Sequence, residues 1–321
     1  MDNLKTIFLL ICSFVLVSCG GEGSSGVKTS KVSFSVSDAP VDSALAVYVG
    51  IEEIELVNQS GDSTFLSIIG SDGYMRINLL DYQGADSALI VSNGVVPVGE
   101  YNNLILHVTE ESGVNVVVDD SGHQPLKQPS NKLKLGGFTV TSDATQAFTI
   151  EFDLRMSLVM RGNQGSDNGY ILKPHGVTIL DNQDAGSIAG VVDTNLFTDV
   201  AGDGCALSDA NSNFVYLYPG DQTANVANLI DLVDTTDIEF SSGPLPDNSV
   251  EPTASVAVNV DGTYLFGFLA PATYTLVFAC NAGGDDSIEY DSGIVIPNPD
   301  PGTVHAVTVA SGQDVVDIDF P

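Results

Sequence analysis

Hydrophobic and polar residues alternate with a period of two along much of the chain. Val32, Phe34 and Val36 alternate with serines, and the same alternation returns at residues 148–154 and 316–320. Successive side chains of a β-strand point to opposite faces, so this pattern predicts strands with one buried face. We therefore expect a chain built mainly from strands.

Turns between these runs set the predicted architecture. Polar stretches that contain glycine, such as residues 58–62 and 119–122, separate the apolar runs, as is typical of strand connections. Only residues 79–91 have a pattern compatible with a short helix. The predicted fold class is all-β, with two antiparallel β-sandwich or barrel-like domains.

A polar break at residues 181–186 separates two sets of strand patterns. With roughly 150 residues per domain as a prior, the 321 residues fit two domains. We place these domains at residues 31–181 and 186–321. Within the second, residues 221–252 are polar and punctuated by proline, which predicts a long excursion with little regular structure.

The first residues have the pattern of an export signal. Lys5 precedes the apolar run 7–17, which is much shorter than the roughly 20 residues that cross a bilayer as a helix. We therefore expect the chain to be exported.

The end of this segment, Leu16-Val17-Ser18-Cys19, resembles the lipobox of bacterial lipoproteins. The resemblance implies that residues 1–18 are a lipoprotein signal peptide, that Cys19 carries lipid, and that residues 19–30 form a Gly/Ser-rich tether. Gly20, in place of the Asp of retained lipoproteins, implies the outer membrane of a Gram-negative bacterium. The alternative is an ordinary signal peptide with an incidental cysteine.

The composition is strongly acidic. Ten Lys and Arg residues stand against 42 Asp and Glu residues, which gives a formal net charge of -32. This charge excludes the basic surface of a nucleic-acid-binding protein and a polybasic attachment to anionic lipid. The membrane is therefore expected as a partner only through the N-terminal lipid.

Several stretches of the first half resemble the DUF4382 family of bacterial lipoprotein domains. They are Ser37-Asp38-Ala39-Pro40-Val41-Asp42, Val98-Gly99-Glu100-Tyr101, Asp153-Leu154-Arg155 and Tyr170-Ile171-Leu172-Lys173-Pro174. The resemblance implies a β-rich fold for this half and supplies no function.

The second half contains Gly186-Ser187-Ile188-Ala189-Gly190, Asp261-Gly262-Thr263-Tyr264 and Ala272-Thr273-Tyr274. On these residues it resembles a carboxypeptidase regulatory-like domain. The resemblance implies a seven-stranded sandwich of the transthyretin type, which belongs to the carbohydrate-binding-like fold. Ala272 stands where that family has glycine, and residues 221–252 are longer than its usual connection.

Cys205 and Cys280 are the remaining cysteines of an exported chain once the signal peptide is removed and Cys19 is lipidated. An oxidising setting favours a disulfide between them. Closing a loop of this length stabilises a protein by roughly 4 kcal/mol in the chain-entropy treatment. Two free thiols are the alternative.

Four charged residues of the first half stand out because cations are so few: Asp38, Asp153, Arg155 and Lys173. We expect Arg155 and Lys173 to make structural ion pairs that join the first strand to the last strands of this half. A ligand pocket is the alternative.

Acidic turns in the second half are candidates for a calcium site, because calcium takes six to eight oxygen ligands from such loops. The candidate ligands are Asp199, Asp203, Asp285 and Asp286, which a Cys205–Cys280 link would bring together. The alternative is a solvated acidic surface.

No recognised catalytic, nucleotide-binding or redox motif occurs, and the four histidines are isolated. We therefore expect a non-enzymatic lipoprotein of the cell envelope that acts as a surface binding or scaffolding module, with no cofactor unless calcium binds. Its partner would be a glycan or an envelope protein. The alternatives are a carbohydrate-binding module for polysaccharide capture and an accessory protein of an exported hydrolase.

Replacing Cys19 with alanine tests the predicted anchor. Because the cysteine sulfur is the acceptor of lipid, we expect Cys19→Ala to abolish incorporation of labelled palmitate and to block maturation. Labelling that persists in this variant would contradict the lipoprotein prediction.

Overall fold

The computed structural model describes residues 27–39, 44–70, 73–142, 145–161, 169–197, 205, 212–299 and 303–321. The protein is 50% strand and 6% helix, with sheets that are mostly antiparallel. The all-β prediction is therefore confirmed. Cys19, Asp199 and Asp203 lie outside the described residues.

Fourteen strands among the described residues form the first half. They are β1 (Thr29–Ala39), β2 (Ala46–Asn58), β3 (Ser63–Ser67), β4 (Met75–Asn78), β5 (Ala88–Pro97), β6 (Gly99–Val108), β7 (Val116–Asp119), β8 (Gly122–Lys127), β9 (Lys132–Lys134), β10 (Phe138–Val140), β11 (Gln146–Asp153), β12 (Leu158–Met160), β13 (Tyr170–Leu172) and β14 (Val177–Asp181). One sheet has the order β14-β11-β1-β5. The other has the order β10-β6-β2-β7-β8-β13-β12, with β3 and β4 paired to β2 and β9 paired to β6.

The core of the first half lies between these two sheets. Val32, Phe34 and Val36 of β1 are fully buried, as the alternation predicts. Phe148 and Ile150 of the neighbouring strand β11 continue the same apolar layer. β1 and β11 run parallel to each other, although most pairs in the protein are antiparallel.

Seven strands among the described residues form the second half. They are β15 (Gly186–Val191), β16 (Phe214–Pro219), β17 (Ala254–Ala257), β18 (Thr263–Leu269), β19 (Ala272–Ala279), β20 (Val304–Val309) and β21 (Asp314–Val315). They make a three-stranded sheet, β18-β15-β21, and a four-stranded sheet, β17-β16-β19-β20. A separate apolar core fills the space between these sheets.

Helices are short. In the part of the chain that the structure describes, one α-helical turn, α1 (Leu154–Ser157), follows β11, and 3-10 turns occur at Leu79–Asp81, Pro129–Asn131, Thr194–Leu196 and Val226–Asn228. Among the described residues no helix has the length and apolar character needed to cross a bilayer. The helix expected at residues 79–91 is wrong: Gly84 has a φ of +67°, which interrupts a helix, and the chain then enters β5.

The excursion at residues 221–252 packs over the outer face of the four-stranded sheet. Strand β16 is buried on both faces, so that Val215 and Leu217 enter the second core while Tyr216 and Tyr218 point to the opposite side. Leu232 of the excursion packs against those tyrosines. The excursion is irregular, as predicted, yet it forms a second apolar layer rather than a solvated loop.

The predicted disulfide is present. Cys205 and Cys280 are bonded, with their Cα atoms 5.4 Å apart, and both are buried in the second core. The bond fixes Cys205 beside the residue that directly follows β19.

Candidate functional site between the two halves

The two halves meet at α1. Asp153 ends β11 and caps this turn, because its Oδ1 accepts a hydrogen bond from the Met156 N–H at 3.2 Å. The turn directs Arg155 into the second half, where its side chain is buried. Met156 also packs there, in the same apolar cluster as Tyr216.

The guanidinium of Arg155 is satisfied by groups of the second half. It donates to Oγ of Ser255 at 2.9 Å and to the backbone oxygen of Ala282 at 2.8 Å. Its central carbon lies 3.5 Å from the centre of the Phe214 ring, a cation-π geometry. Nη2 lies 3.7 Å from a carboxylate oxygen of Asp285.

Two further cations bind the excursion. Arg161 donates from both Nη atoms to the two carboxylate oxygens of Asp237, at 2.7 and 2.8 Å. Lys173 donates to Asp237 at 2.8 Å and to Asp234 at 2.7 Å. Hydrogen bonds from Arg161 hold the pKa of Asp237 well below its ordinary value. These carboxylates are therefore ionised partners over the whole physiological range.

The expected ion pairs are thus made with different partners. Arg155 and Lys173 pair with acids of the second half and not with the first strand, because α1 and the end of β13 face the excursion and the sheet behind it. Asp153 also reaches across, since its Oδ2 accepts a hydrogen bond from the backbone N–H of Ser255 at 3.1 Å. Asp38 makes no ion pair among the described residues.

A cleft of about 500 Å³ opens beside this junction. Its walls come from both halves and are mainly apolar. The wall residues include Val177, Ile179, Leu217, Leu265, Phe268 and Tyr274. At one side the halves touch closely: a Cβ on Gly267 of β18 would lie 2.0 Å from the backbone oxygen of Gly84, so no larger residue fits there.

Three carboxyl groups line the cleft: Asp38 at the end of β1, and Glu151 and Asp153 on β11. Burial raises the pKa of Glu151 to about 8 and that of Asp153 to about 6. Burial, with repulsion from Glu151 and Asp153, also raises the pKa of Asp38 well above its ordinary value. The cleft therefore holds carboxyl groups of which some are protonated at neutral pH.

Of these three carboxyl groups, Asp38 has the fewest hydrogen-bond partners among the described residues. It is fully buried, and neither of its carboxyl oxygens makes a hydrogen bond of normal geometry to a described residue. The backbone N–H of Leu154 acts on it as a donor that partly offsets the rise in its pKa. One oxygen of Glu151, Oε2, is buried and unpartnered. Buried polar atoms are nearly always hydrogen-bonded, so these atoms need a partner that the described residues do not supply, which is an ordered water, an ion or a ligand.

Phe268 adds a strained backbone position at the cleft wall. Its φ is +46°, which lies in the left-handed region that bulky residues avoid. Such positions cost free energy and occur often at binding sites.

Of the four acids proposed from the sequence as calcium ligands, Asp199 and Asp203 lie outside the described residues, and of the other two only Asp285 belongs to a carboxylate cluster among the described residues. Asp285 is buried behind Tyr216, whereas Asp286 is exposed and accepts a hydrogen bond from the Ile288 N–H at 3.1 Å. Asp285 instead lies near Asp231 and Asp291.

Glu151, Arg161 and Asp237 are site residues that the sequence pattern does not reveal. Glu151 sits on the polar side of an alternating strand and therefore looks solvent-exposed, but it lies at the cleft and burial raises its pKa. Arg161 and Asp237 are 76 residues apart in sequence. The scarcity of cations is the one signal that could have drawn attention to Arg161.

Comparison with known families identifies part of the chain. Residues 29–174 match the family described as "Domain of unknown function (DUF4382)". A DUF4382 domain is found at these residues. The stretches of the DUF4382 domain that resemble the family contain Asp38, Asp153, Arg155 and Lys173. Asp38 and Asp153 line the cleft, and Arg155 and Lys173 lie at the junction with the second half. A search of curated proteins gave no match.

Comparison with solved structures gives matches at low identity and low TM-score. The Bacillus anthracis TIE protein is 12% identical, with 90% of this chain and 33% of that chain covered and a TM-score of 0.20. The Streptococcal ancillary pilin is 9% identical, with 91% and 68% covered and a TM-score of 0.21. The fimbrial anchor protein Mfa2 from Porphyromonas gingivalis is 9% identical, with 80% of each chain covered and a TM-score of 0.16. The chain spans about a third of the length of the first of these.

The raised pKa of Glu151 predicts a pH-dependent stability. A group whose pKa is about 8 when folded and 4.5 ordinarily contributes stability that is complete below about pH 4.5 and is lost as the pH rises through 8. We expect Glu151→Gln to melt near the wild-type temperature at pH 5 and several degrees above it at pH 9.

Thermal melting between pH 5 and pH 9 measures this difference. Glu52→Gln is the matched control, because Glu52 is an exposed acid of β2. It should change the melting temperature by the same amount at every pH. A Glu151→Gln difference that stays constant with pH would contradict the burial of an uncharged carboxyl group.

Proposed function

We propose that the protein is a non-enzymatic lipoprotein of the cell envelope, anchored by lipid on Cys19 in the outer membrane, that binds an amphipathic ligand in the cleft between its two halves. The second half would be a carboxypeptidase regulatory-like sandwich. The ligand would have an apolar body and a hydrogen-bond-donating or cationic group.

The buried, unpartnered carboxyl group of Asp38 is the observation that carries this proposal. Leaving a buried polar group without a partner costs on the order of 1 to 3 kcal/mol, more if it is charged. A ligand N–H or O–H that reached Asp38 and Oε2 of Glu151 would recover that cost. The apolar wall formed by residues such as Leu265 and Phe268 would take the rest of the ligand.

The locked junction supports the same proposal. Arg155, Arg161 and Lys173 are three of only ten cations in the chain, and all three join the halves. Because these contacts hold the two halves together, the walls of the cleft are in place before a ligand arrives, and binding has to move only the side chains that cover the buried oxygens of Asp38 and Glu151.

The tyrosines favour this reading over glycan capture. All ten lie among the described residues and none is exposed, with six buried and four half-buried. Tyr216 and Tyr218, for example, are covered by the excursion. A platform of exposed aromatic rings on which sugars could stack is therefore not formed by tyrosine.

Fluorescence titration with N-phenyl-1-naphthylamine tests the cleft. This probe is an uncharged aromatic amine with one N–H donor. We expect a saturable increase in its emission with one site per protein chain. Thr178→Trp should weaken binding at least tenfold, because Thr178 is exposed on β14, lines the cleft and is paired with Glu151 across the strands.

Val260→Trp is the matched control, since Val260 is 79% exposed and lies outside the cleft. It should bind the probe like the wild type. Equal titrations for all three proteins, or no saturable binding by the wild type, would contradict the proposed site.

A further inference from the structure

A second group of carboxylates lies behind the junction, outside the cleft. Asp231 comes from the excursion, and Asp285 and Asp291 come from the segment that follows β19. One carboxylate oxygen of each residue lies within 4.8 Å of one from each of the others. Asp231 is 1% exposed, and the side chain of Asp285 is 0% exposed.

This spacing fits one cation. Calcium binds oxygen at about 2.3 to 2.6 Å, so two ligands on opposite sides of one calcium ion are about 4.6 to 5.2 Å apart. Magnesium binds at about 2.0 to 2.1 Å in strict octahedral geometry, which requires opposite ligands to be about 4.0 to 4.2 Å apart. Oxygens that all lie within 4.8 Å of one another can reach one ion of either kind, and calcium is the better candidate because it tolerates variable ligand geometry whereas magnesium demands a near-ideal octahedron.

Each of the two buried carboxylates has one engaged oxygen and one without a partner. Oδ2 of Asp231 accepts from the Asp291 N–H at 2.6 Å, and Oδ2 of Asp285 accepts from the Tyr216 hydroxyl at 2.6 Å. Oδ1 of Asp231 and Oδ1 of Asp285 are buried and accept no hydrogen bond from described residues. The groups are thus held in place with lone pairs left for an ion.

The net charge of this cluster also favours a bound cation. Arg155, at 3.7 Å from Asp285, is the one cation that forms a salt bridge with these three carboxylates among the described residues. Three carboxylates and one guanidinium leave an excess of negative charge in a region shielded from water. Such an excess disfavours ionisation unless a further cation is bound.

We propose that Asp231, Asp285 and Asp291 form a calcium site that ties the excursion to the segment after β19. Among the described residues, the set shares Asp285 with the ligands expected from the sequence and does not include Asp286. Water would supply the remaining ligands, as oxygen-only sites for calcium allow. Because Asp285 also faces Arg155 and Tyr216, the ion would stiffen the junction from its second-half side.

Calorimetric titration tests this site. The purified protein, freed of metal with a chelator, is titrated with calcium chloride in about 0.15 M potassium chloride, which screens the general negative surface. We expect one saturable site, at least tenfold weaker in Asp231→Asn and Asp291→Asn, and at least tenfold weaker for magnesium in the wild type. Asp247→Asn is the matched control, because Asp247 is an exposed acid of the excursion.

Thermal melting separates an ion ligand from a structural residue. In chelator, Asp231→Asn should melt at or above the wild-type temperature, because it removes repulsion and its amide oxygen still accepts from the Asp291 N–H. With calcium, the wild type and Asp247→Asn should rise by several degrees while Asp231→Asn stays unchanged.

Two results would overturn the proposal. Equal shifts by calcium in the wild type, Asp231→Asn and Asp247→Asn would mean that calcium acts only by screening. A fall in melting temperature for Asp231→Asn that is the same with calcium and with chelator would assign the residue a purely structural role.

Discussion

The buried guanidinium of Arg155 is the constraint on which the arrangement of the two halves depends. A charge taken out of water is tolerated only where its donors find partners, and removing such partners costs about 3 to 5 kcal/mol. The partners of Arg155 are Ser255, the Ala282 carbonyl and the ring of Phe214, all in the second half. The halves therefore have one favoured relative position, in which these groups surround the guanidinium.

The relative position of the two halves also forms the cleft between them. Glu151 and Asp153 of β11 lie at a cleft whose walls come from both halves. Desolvation raises the pKa of both carboxyl groups. The unpartnered Asp38 completes the group. The proposed site thus combines acids of the first half with an apolar wall that belongs in part to the second half.

The alternation of apolar and polar residues predicts individual strands in this protein. It does not predict contacts between segments that are far apart in the sequence. The alternation at residues 32–36 correctly gives a half-buried strand, because the strand face depends only on near neighbours. The partner of Lys173 is 61 residues away on an irregular segment, where no periodicity marks it. The same holds for Asp231 and Asp285, whose approach depends on how the excursion folds back over β16.

Calorimetric unfolding of Arg155→Ala, in chelator and beside the wild type and Arg155→Lys, tests the locked junction most directly. We predict one cooperative transition for the wild type and two for Arg155→Ala, because the variant removes the donor to the Ala282 carbonyl and the salt-bridge partner of Asp285 and so uncouples the halves. Arg155→Lys keeps the charge but not the forked donors of the guanidinium. We therefore expect its unfolding to be less cooperative than that of the wild type and more cooperative than that of Arg155→Ala. A single transition at the wild-type temperature in Arg155→Ala would contradict the account.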